Sequence, residues 1–174
     1  MIYEPAEDSF LLEKYVKKFS KNKNVLDVGT GSGIQALSAK KSGAKSVIAC
    51  DINHEAVKYV NSLGIKAIKS NLLDKISGKF DVIIFNPPYL PRDKREDAES
   101  RRVTTGGKRG DELIVKFLKQ AKAHLSEFGI ILIIVSSLSP IDKIKKTIEK
   151  NYKGYEILEK QHIFFEDLEA WLIR

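Results

Sequence analysis

Asp27-Val-Gly-Thr-Gly-Ser-Gly33 places a carboxylate two residues ahead of three glycines spaced G-x-G-x-G. Glycines at that spacing let the backbone turn tightly from a strand into a helix and let a ligand approach with no side chain in the way. A dinucleotide loop would read G-x-G-x-x-G. Asp27 also adds negative charge beside the loop, which suits an ammonium group better than a pyrophosphate. Asp51 closes the next apolar run, 22 residues after Gly29. In open parallel sheets a carboxylate there accepts bonds from ribose hydroxyls. Loop and acid together imply a nucleoside ligand with a cationic tail.

The second chemical signal is Asn86-Pro-Pro-Tyr89, which follows the apolar run Phe80-Asp-Val-Ile-Ile-Phe85. Two prolines fix φ and remove two backbone donors, leaving carbonyls free to accept. The side-chain oxygen of Asn86 and the carbonyl of Pro87 then form a rigid pair of acceptors that can grip a planar NH2 group. Tyr89 offers a face for that plane to stack on. An amide or aniline-like nitrogen is a poor nucleophile because its lone pair is delocalised. Holding both its protons while aiming the nitrogen at an electrophilic methyl favours displacement, with no strong base required. S-adenosylmethionine, with its ammonium and sulfonium, fits the first cluster and supplies such a methyl.

The elements that must position these residues follow from hydrophobic periodicity. Helical stripes are expected over 8–19, 34–42, 55–63 and from Asp111 to Leu125, and a further helix opens at Pro140 with Ile141, Ile144 and Ile148 facing inward. Strands are expected over 24–28, 46–51, 65–69 (edge type), 80–85 and 128–136, the last the most apolar and so central. Two final strands, 155–164 and 168–173, have no helix between them and imply an antiparallel hairpin. Alternating strand and helix predicts an α/β fold, a mainly parallel sheet with helices on both faces. Only 90–110 lacks either period; a loop of that length is uncommon unless functional.

Composition agrees. The chain has 174 residues, 43% hydrophobic and 30% charged, which predicts one domain over 1–174 and excludes disorder as the main state. A single Cys excludes an internal disulfide framework and a Cys-based zinc site within these residues. No apolar run approaches the ~18–20 residues of a membrane helix, and the first residues lack the pattern of a signal peptide. An intracellular, cytoplasmic protein is expected. The net charge is +7, from 24 Lys scattered along the chain and 6 Arg against 23 acids. Five of the six Arg (Arg92, Arg95, Arg101, Arg102 and Arg109) fall within 92–109, where seven basic and four acidic side chains leave a local +3.

The glycine loop, Asp51 and Asn86-Pro-Pro-Tyr89 resemble the class I S-adenosylmethionine-dependent methyltransferases. That resemblance implies a Rossmann-like sheet of seven strands with one antiparallel strand. It implies that Gly29, Thr30, Gly31 and Gly33 lie under the methionine moiety, that Asp27 faces its ammonium, and that Asp51 and Ile52 hold the ribose side. The adenine contact falls on Asn71, next to Leu72, or on Asp74. Relatives often carry Asp where this chain has Asn71. Asn86 would touch both cofactor and acceptor, with Asn86, Pro87 and Tyr89 as the catalytic group.

Tyr3-Glu-Pro-Ala-Glu-Asp-Ser-Phe-Leu-Leu12 and Gly106-Gly-Lys-Arg-Gly-Asp111 narrow the resemblance to the small release-factor glutamine methyltransferases of archaea and eukaryotes. Those enzymes modify the glutamine of a Gly-Gly-Gln motif in class 1 release factors, as heterodimers with a small zinc-binding activator that covers an apolar surface. Glutamine N5-methylation is therefore the expected activity. The rival is nucleic-acid amino methylation, at adenine N6 or guanine N2. It is disfavoured because enzymes that flip a base from DNA usually carry recognition elements beyond a catalytic domain. Secondary lysine methylation is also open.

Within this reading Pro87, Pro88, Tyr89, Arg92 and Arg109 join Asn86 in holding substrate, and 90–110 is expected to be a mobile substrate loop with hinge freedom at 104–107. RNA contact and a merely solvated loop are the competing readings of that stretch. The N-terminal helical segment, 1–20, brings Glu4, Pro5, Glu7 and Asp8 near the ligand entrance, unless Asp8 simply caps a helix. His54, His124 and His162 have no ligand spacing, so no metal is expected. Cys50 and Trp171 read as core, and Ser136-Ser137 as a strand end that either contacts ligand or turns.

Overall fold

The computed structural model describes residues 4–88, 110–163 and 166–174. Seven strands form one sheet: β1 (Asn24–Val28), β2 (Ser46–Asp51), β3 (Lys66–Lys69), β4 (Phe80–Phe85), β5 (Leu125–Ser136), β6 (Tyr155–Ile163) and β7 (Glu166–Ile173). Their order is β3-β2-β1-β4-β5-β7-β6. Pairs among β1 to β5 are parallel, and β7 runs antiparallel to both β5 and β6. One reversed strand in a seven-stranded sheet is the arrangement expected from the sequence. β3 is an edge strand, as its alternation implied.

Among the described residues, five α-helices cover the sheet: α1 (Glu7–Phe19), α2 (Ile34–Lys41), α3 (His54–Ser62), α4 (Glu112–Ala121) and α5 (Ile141–Asn151). Because successive strand residues point to opposite faces, the sheet feeds two cores. Leu26, Val28, Ile83, Phe85, Ile131 and Ile133 pack with Phe117 and Leu118 of α4 and Ile144 and Ile148 of α5. On the opposite face, Val25, Val82, Ile84, Leu132 and Ile134 pack with Leu12, Tyr15 and Val16 of α1 and Ala39 of α2. α1 opens on Glu7 and Asp8 and closes on Lys17 and Lys18, charges that complement the helix dipole.

Register aligns the carboxyl ends of the strands. Val28 of β1 lies beside both Cys50 of β2 and Phe85 of β4, and Asp51 lies beside Lys69 of β3. The residues that follow (Gly29, Ile52, Ser70 and Asn86) therefore emerge along one rim of the sheet, where ligands bind in such folds.

Several boundaries differ from the sequence expectation. The α4 stripe stops at Ala121, and a 3-10 turn, Lys122–His124, leads to Leu125, which opens β5 opposite Phe80. The apolar period of Leu125 fits helix or strand equally, and sheet pairing decides. β7 likewise begins at Glu166 rather than Leu168, carried by pairing of Glu166 with Ile163. Trp171 is fully buried and stacks on Tyr155, with 4.3 Å between ring centroids. Cys50 is buried, and its burial pushes the thiol up to about 12, as suits a core residue. Among the described residues no helix is long and apolar enough to cross a membrane.

Candidate active site

Asp27 is the penultimate residue of β1 and is 1% exposed. Its Oδ2 accepts the Thr30 hydroxyl at 2.6 Å and the Ala36 N–H at 3.1 Å. One carboxylate thus braces the glycine loop and satisfies a donor in the first turn of α2, whose N-cap is Gly33 and supplies no side chain. Burial pushes Asp27 up to about 7, and the nearby Asp51 charge adds to this against the lowering by its two donors. A carboxylate so poised gains from a cation brought beside it.

Gly29, Gly31 and Gly33 all have positive φ, of 65°, 51° and 78°. At Gly33 space is also tight: a Cβ there would lie 3.0 Å from Val60 Cγ2 of α3. The loop is held further by Thr30 N–H donating to Cys50 O and Gly33 N–H donating to Thr30 O. Asp51 is half-buried and ties β2 to the loop: Gly31 N–H donates to its Oδ2 and Asn53 N–H to its Oδ1, at 2.9 and 2.8 Å. Carboxylate oxygens retain further lone pairs for hydroxyl donors. Beside it Ile52 is 62% exposed, an apolar surface on an otherwise polar rim.

Beyond β3, Asn71 is exposed and Leu72 is buried with a φ of 51°, a left-handed conformation uncommon for a branched residue. Leu72 O accepts from Cys50 Sγ at 3.4 Å, which anchors the turn. Asp74 Oδ1 accepts the Gln120 side-chain amide from α4 at 2.7 Å. Both candidates for an adenine contact are exposed, and Asp74 is the one held by a helix side chain.

Asn86 leaves β4 half-buried, with Pro87 buried behind it. Its Nδ2 donates to Asp8 Oδ2 at 3.1 Å and to Ser9 Oγ at 3.3 Å, both from the first turn of α1. Its Oδ1 is buried and has no hydrogen-bond partner among the described residues. Buried polar atoms are rarely left so, and an unused acceptor next to a glycine loop suits an incoming N–H donor. Asp8 does not cap α1, since the helix begins at Glu7 with Ala6 at the N-cap. The approach of Ser9 and Gln35 was not foreseen from sequence: Gln35 Nε2 of α2 donates to Ser9 O at 2.8 Å. Tyr89, Arg92 and Arg109, with the whole 90–109 stretch, lie outside the described residues.

His54, His124 and His162 lie apart, on α3, the 3-10 turn and β6, and no cluster of metal-ligating side chains occurs among the described residues. Ser136 Oγ donates to Glu166 and accepts from Leu138 N–H, and Ser137 Oγ accepts from Asp167 N–H. Both serines serve the turn after β5.

The family model described as Methyltransferase small domain matches residues 7–165. The chain belongs to this family. A Methanocaldococcus jannaschii protein named for protein N5-glutamine methyltransferase activity is 38% identical, over 98% of this chain and 91% of its own length. The mouse Methyltransferase HEMK2 is 30% identical over 85% of this chain and 78% of its own. Among solved structures, the E. cuniculi Mtq2-Trm112 complex, described as responsible for methylation of the eRF1 translation termination factor, superposes with a TM-score of 0.82. It is 26% identical, covering 99% of this chain and 98% of that one. The chain is an S-adenosylmethionine-dependent methyltransferase, and its rim suits that cofactor: a buried carboxylate for the cationic tail, three glycines without side chains, and exposed Ile52 and Asn71 on the nucleoside side.

Proposed function

We propose that this enzyme methylates the side-chain nitrogen of the glutamine in the Gly-Gly-Gln motif of a class 1 translation release factor. The observation that carries this reading is the Asn86 amide, whose buried Oδ1 is left as an acceptor while its Nδ2 is held by Asp8 and Ser9. A primary amide presents two N–H donors in one plane, which Asn86 Oδ1 and the Pro87 carbonyl match. Tyr89 would stack on that plane. The 38% identity to the M. jannaschii protein along nearly the whole chain, and the closeness of the fold to Mtq2, support glutamine as acceptor.

When bound, S-adenosylmethionine supplies the methyl on a sulfonium centre. Asp27 would balance its ammonium charge, Gly29, Thr30, Gly31 and Gly33 would let its methionine part lie against backbone, Asp51 and Ile52 would take the ribose side, and Asn71 with Leu72 the adenine. Asn86 and Pro87 hold the acceptor protons and so keep the nitrogen lone pair directed away from them; orientation and fixed dipoles supply the acceleration. Pro88, Arg92 and Arg109 would border the bound release factor.

The relative Mtq2 is solved with Trm112, and a small zinc-binding activator subunit is the proposed partner here, in a cytoplasmic setting near the ribosome. The test is to co-express this chain with such a subunit and a release factor, then fragment the Gly-Gly-Gln peptide by mass spectrometry. One methyl on the glutamine supports the reading. Methyl transfer to separate pools of tRNA, rRNA or DNA, with an unmodified release factor, would overturn it in favour of nucleic-acid amino methylation.

A further inference from the structure

An asparagine amide can hold an acceptor amide only if its oxygen, and not its nitrogen, faces the substrate. The two ends are nearly the same shape, so something other than packing must choose between them. We propose that Asp8, seconded by Ser9, is the positioning residue that fixes which end of the Asn86 amide faces the acceptor, an inference that rests on the amide-acceptor reading above.

The choice follows from donor and acceptor inventory. An ionised carboxylate only accepts, so the group 3.1 Å from Asp8 Oδ2 must be Nδ2. The Ser9 hydroxyl completes the pattern in one direction: Ser9 Oγ donates to Asp8 Oδ1 at 3.2 Å, which leaves its lone pairs for the second proton of Asn86 Nδ2 at 3.3 Å. Asp8 Oδ1 also takes the Ser9 backbone N–H at 2.6 Å, so the carboxylate itself is pinned. With both Nδ2 protons used, Oδ1 is the end left over, buried and without a partner among the described residues. Inverting the amide would set oxygen against carboxylate and lose that bond, and the Ser9 hydroxyl could serve the inverted amide only by giving up Asp8 Oδ1.

The device reaches the cofactor side as well. Gln35 of α2, two residues past Gly33, donates to the Ser9 carbonyl at 2.8 Å. The helix that begins at the glycine loop therefore holds the turn that holds Asn86. Asp8 and Ser9 are 5% and 2% exposed, so water does not compete for these contacts.

The substitutions Asp8→Ala and Asp8→Asn separate this role from a merely structural one. Alanine removes the chooser but leaves Ser9 Oγ to accept from Asn86. Asparagine keeps the shape of Asp8, but with its own oxygen held by the Ser9 N–H it presents an NH2 to Asn86, which inverts the Asn86 amide and turns a donor toward the acceptor. The more conservative change is therefore the more harmful. With a release factor as acceptor, kcat is expected to fall about 10-fold in Asp8→Ala and about 100-fold or more in Asp8→Asn. The KM for cofactor should stay within about threefold, since neither change touches the glycine loop. An Asp8→Asn enzyme as active as Asp8→Ala, or a loss confined to cofactor KM, overturns the proposal.

The amide can also be read without turnover, which covers variants that fold poorly and an acceptor that proves not to be glutamine. In nitrogen-15 spectra of the wild-type protein, the Asn86 side-chain NH2 pair is assigned by its loss in Asn86→Ala. It should show nuclear Overhauser contacts to the β-protons of Asp8 and Ser9. Absence of those contacts overturns the proposal. Their presence with an unmethylated release factor overturns the choice of acceptor and leaves the positioning role standing.

Discussion

Asp27 Oδ2 accepts the N–H of Ala36 at 3.1 Å, nine residues ahead in the chain, so the carboxylate beside the glycine loop also satisfies the first turn of α2. A single buried acid thereby couples the shape of the loop to the charge that a cationic ligand meets. Asp27→Asn can keep an oxygen for both donors, which share Oδ2, and deletes the charge. The expected result is a loss of cofactor affinity of about 10–100-fold, the ~1.5–3 kcal/mol of a charged hydrogen bond. Isothermal titration against S-adenosylmethionine measures it.

The same group sets a pH dependence. Burial raises Asp27 to about 7 in the folded chain, against about 3.9 when unfolded. The folded state therefore binds the proton more tightly. The stability this group contributes is fully present below about pH 4 and is lost as pH rises through about 7. In the ligand-free protein, wild type should lose stability relative to Asp27→Asn between pH 5 and pH 8, in chemical denaturation at each pH. Added cofactor should stabilise wild type more at pH 8 than at pH 5, because its ammonium favours the ionised acid.

Gly33 combines a φ of 78° with a Val60 methyl 3.0 Å from where a Cβ would stand. An L-residue in this region costs ~1–2 kcal/mol before any clash. Gly33→Ala should destabilise the fold by about 1–3 kcal/mol in urea titration. Val60→Ala in the same chain should relieve part of the added loss, since it removes the methyl.

The adenine contact is decided by comparing Asn71→Ala with Asp74→Asn. Both are exposed, but Asp74 is engaged by Gln120. Cofactor affinity should fall about 3–10-fold in Asn71→Ala, the worth of a neutral hydrogen bond, and stay near wild type in Asp74→Asn. Titration with cofactor reads both.

The strands that build the site could be read from sequence because buried parallel strands are continuous apolar runs: 24–28, 46–51 and 80–85 match β1, β2 and β4 to the residue. The motifs that follow them were legible because Gly, Pro and Asn at a strand end have few other uses. Leu125 was misplaced because α4, the 3-10 turn and β5 follow one another within a few residues, and only pairing with Phe80 assigns it. The role of Asp27 toward Ala36 was hidden, since a cap supplied from the preceding strand leaves no mark at the N-cap position itself. Least legible was the contact of Asn86 with Asp8 and Ser9, 78 and 77 residues away. The N-terminal segment was placed near the ligand by resemblance, but nothing local says which side chain it meets there.

The central claim is that Asn86 presents its amide oxygen to a glutamine of a release factor. Its direct test is mass analysis of the Gly-Gly-Gln peptide after incubation with wild type and with Asn86→Ala, each shown by titration to bind cofactor. The expected result is one added methyl on the glutamine with wild type and a rate lower by about 100-fold or more with the variant. Methylation at an undiminished rate by Asn86→Ala, with cofactor bound, would contradict it.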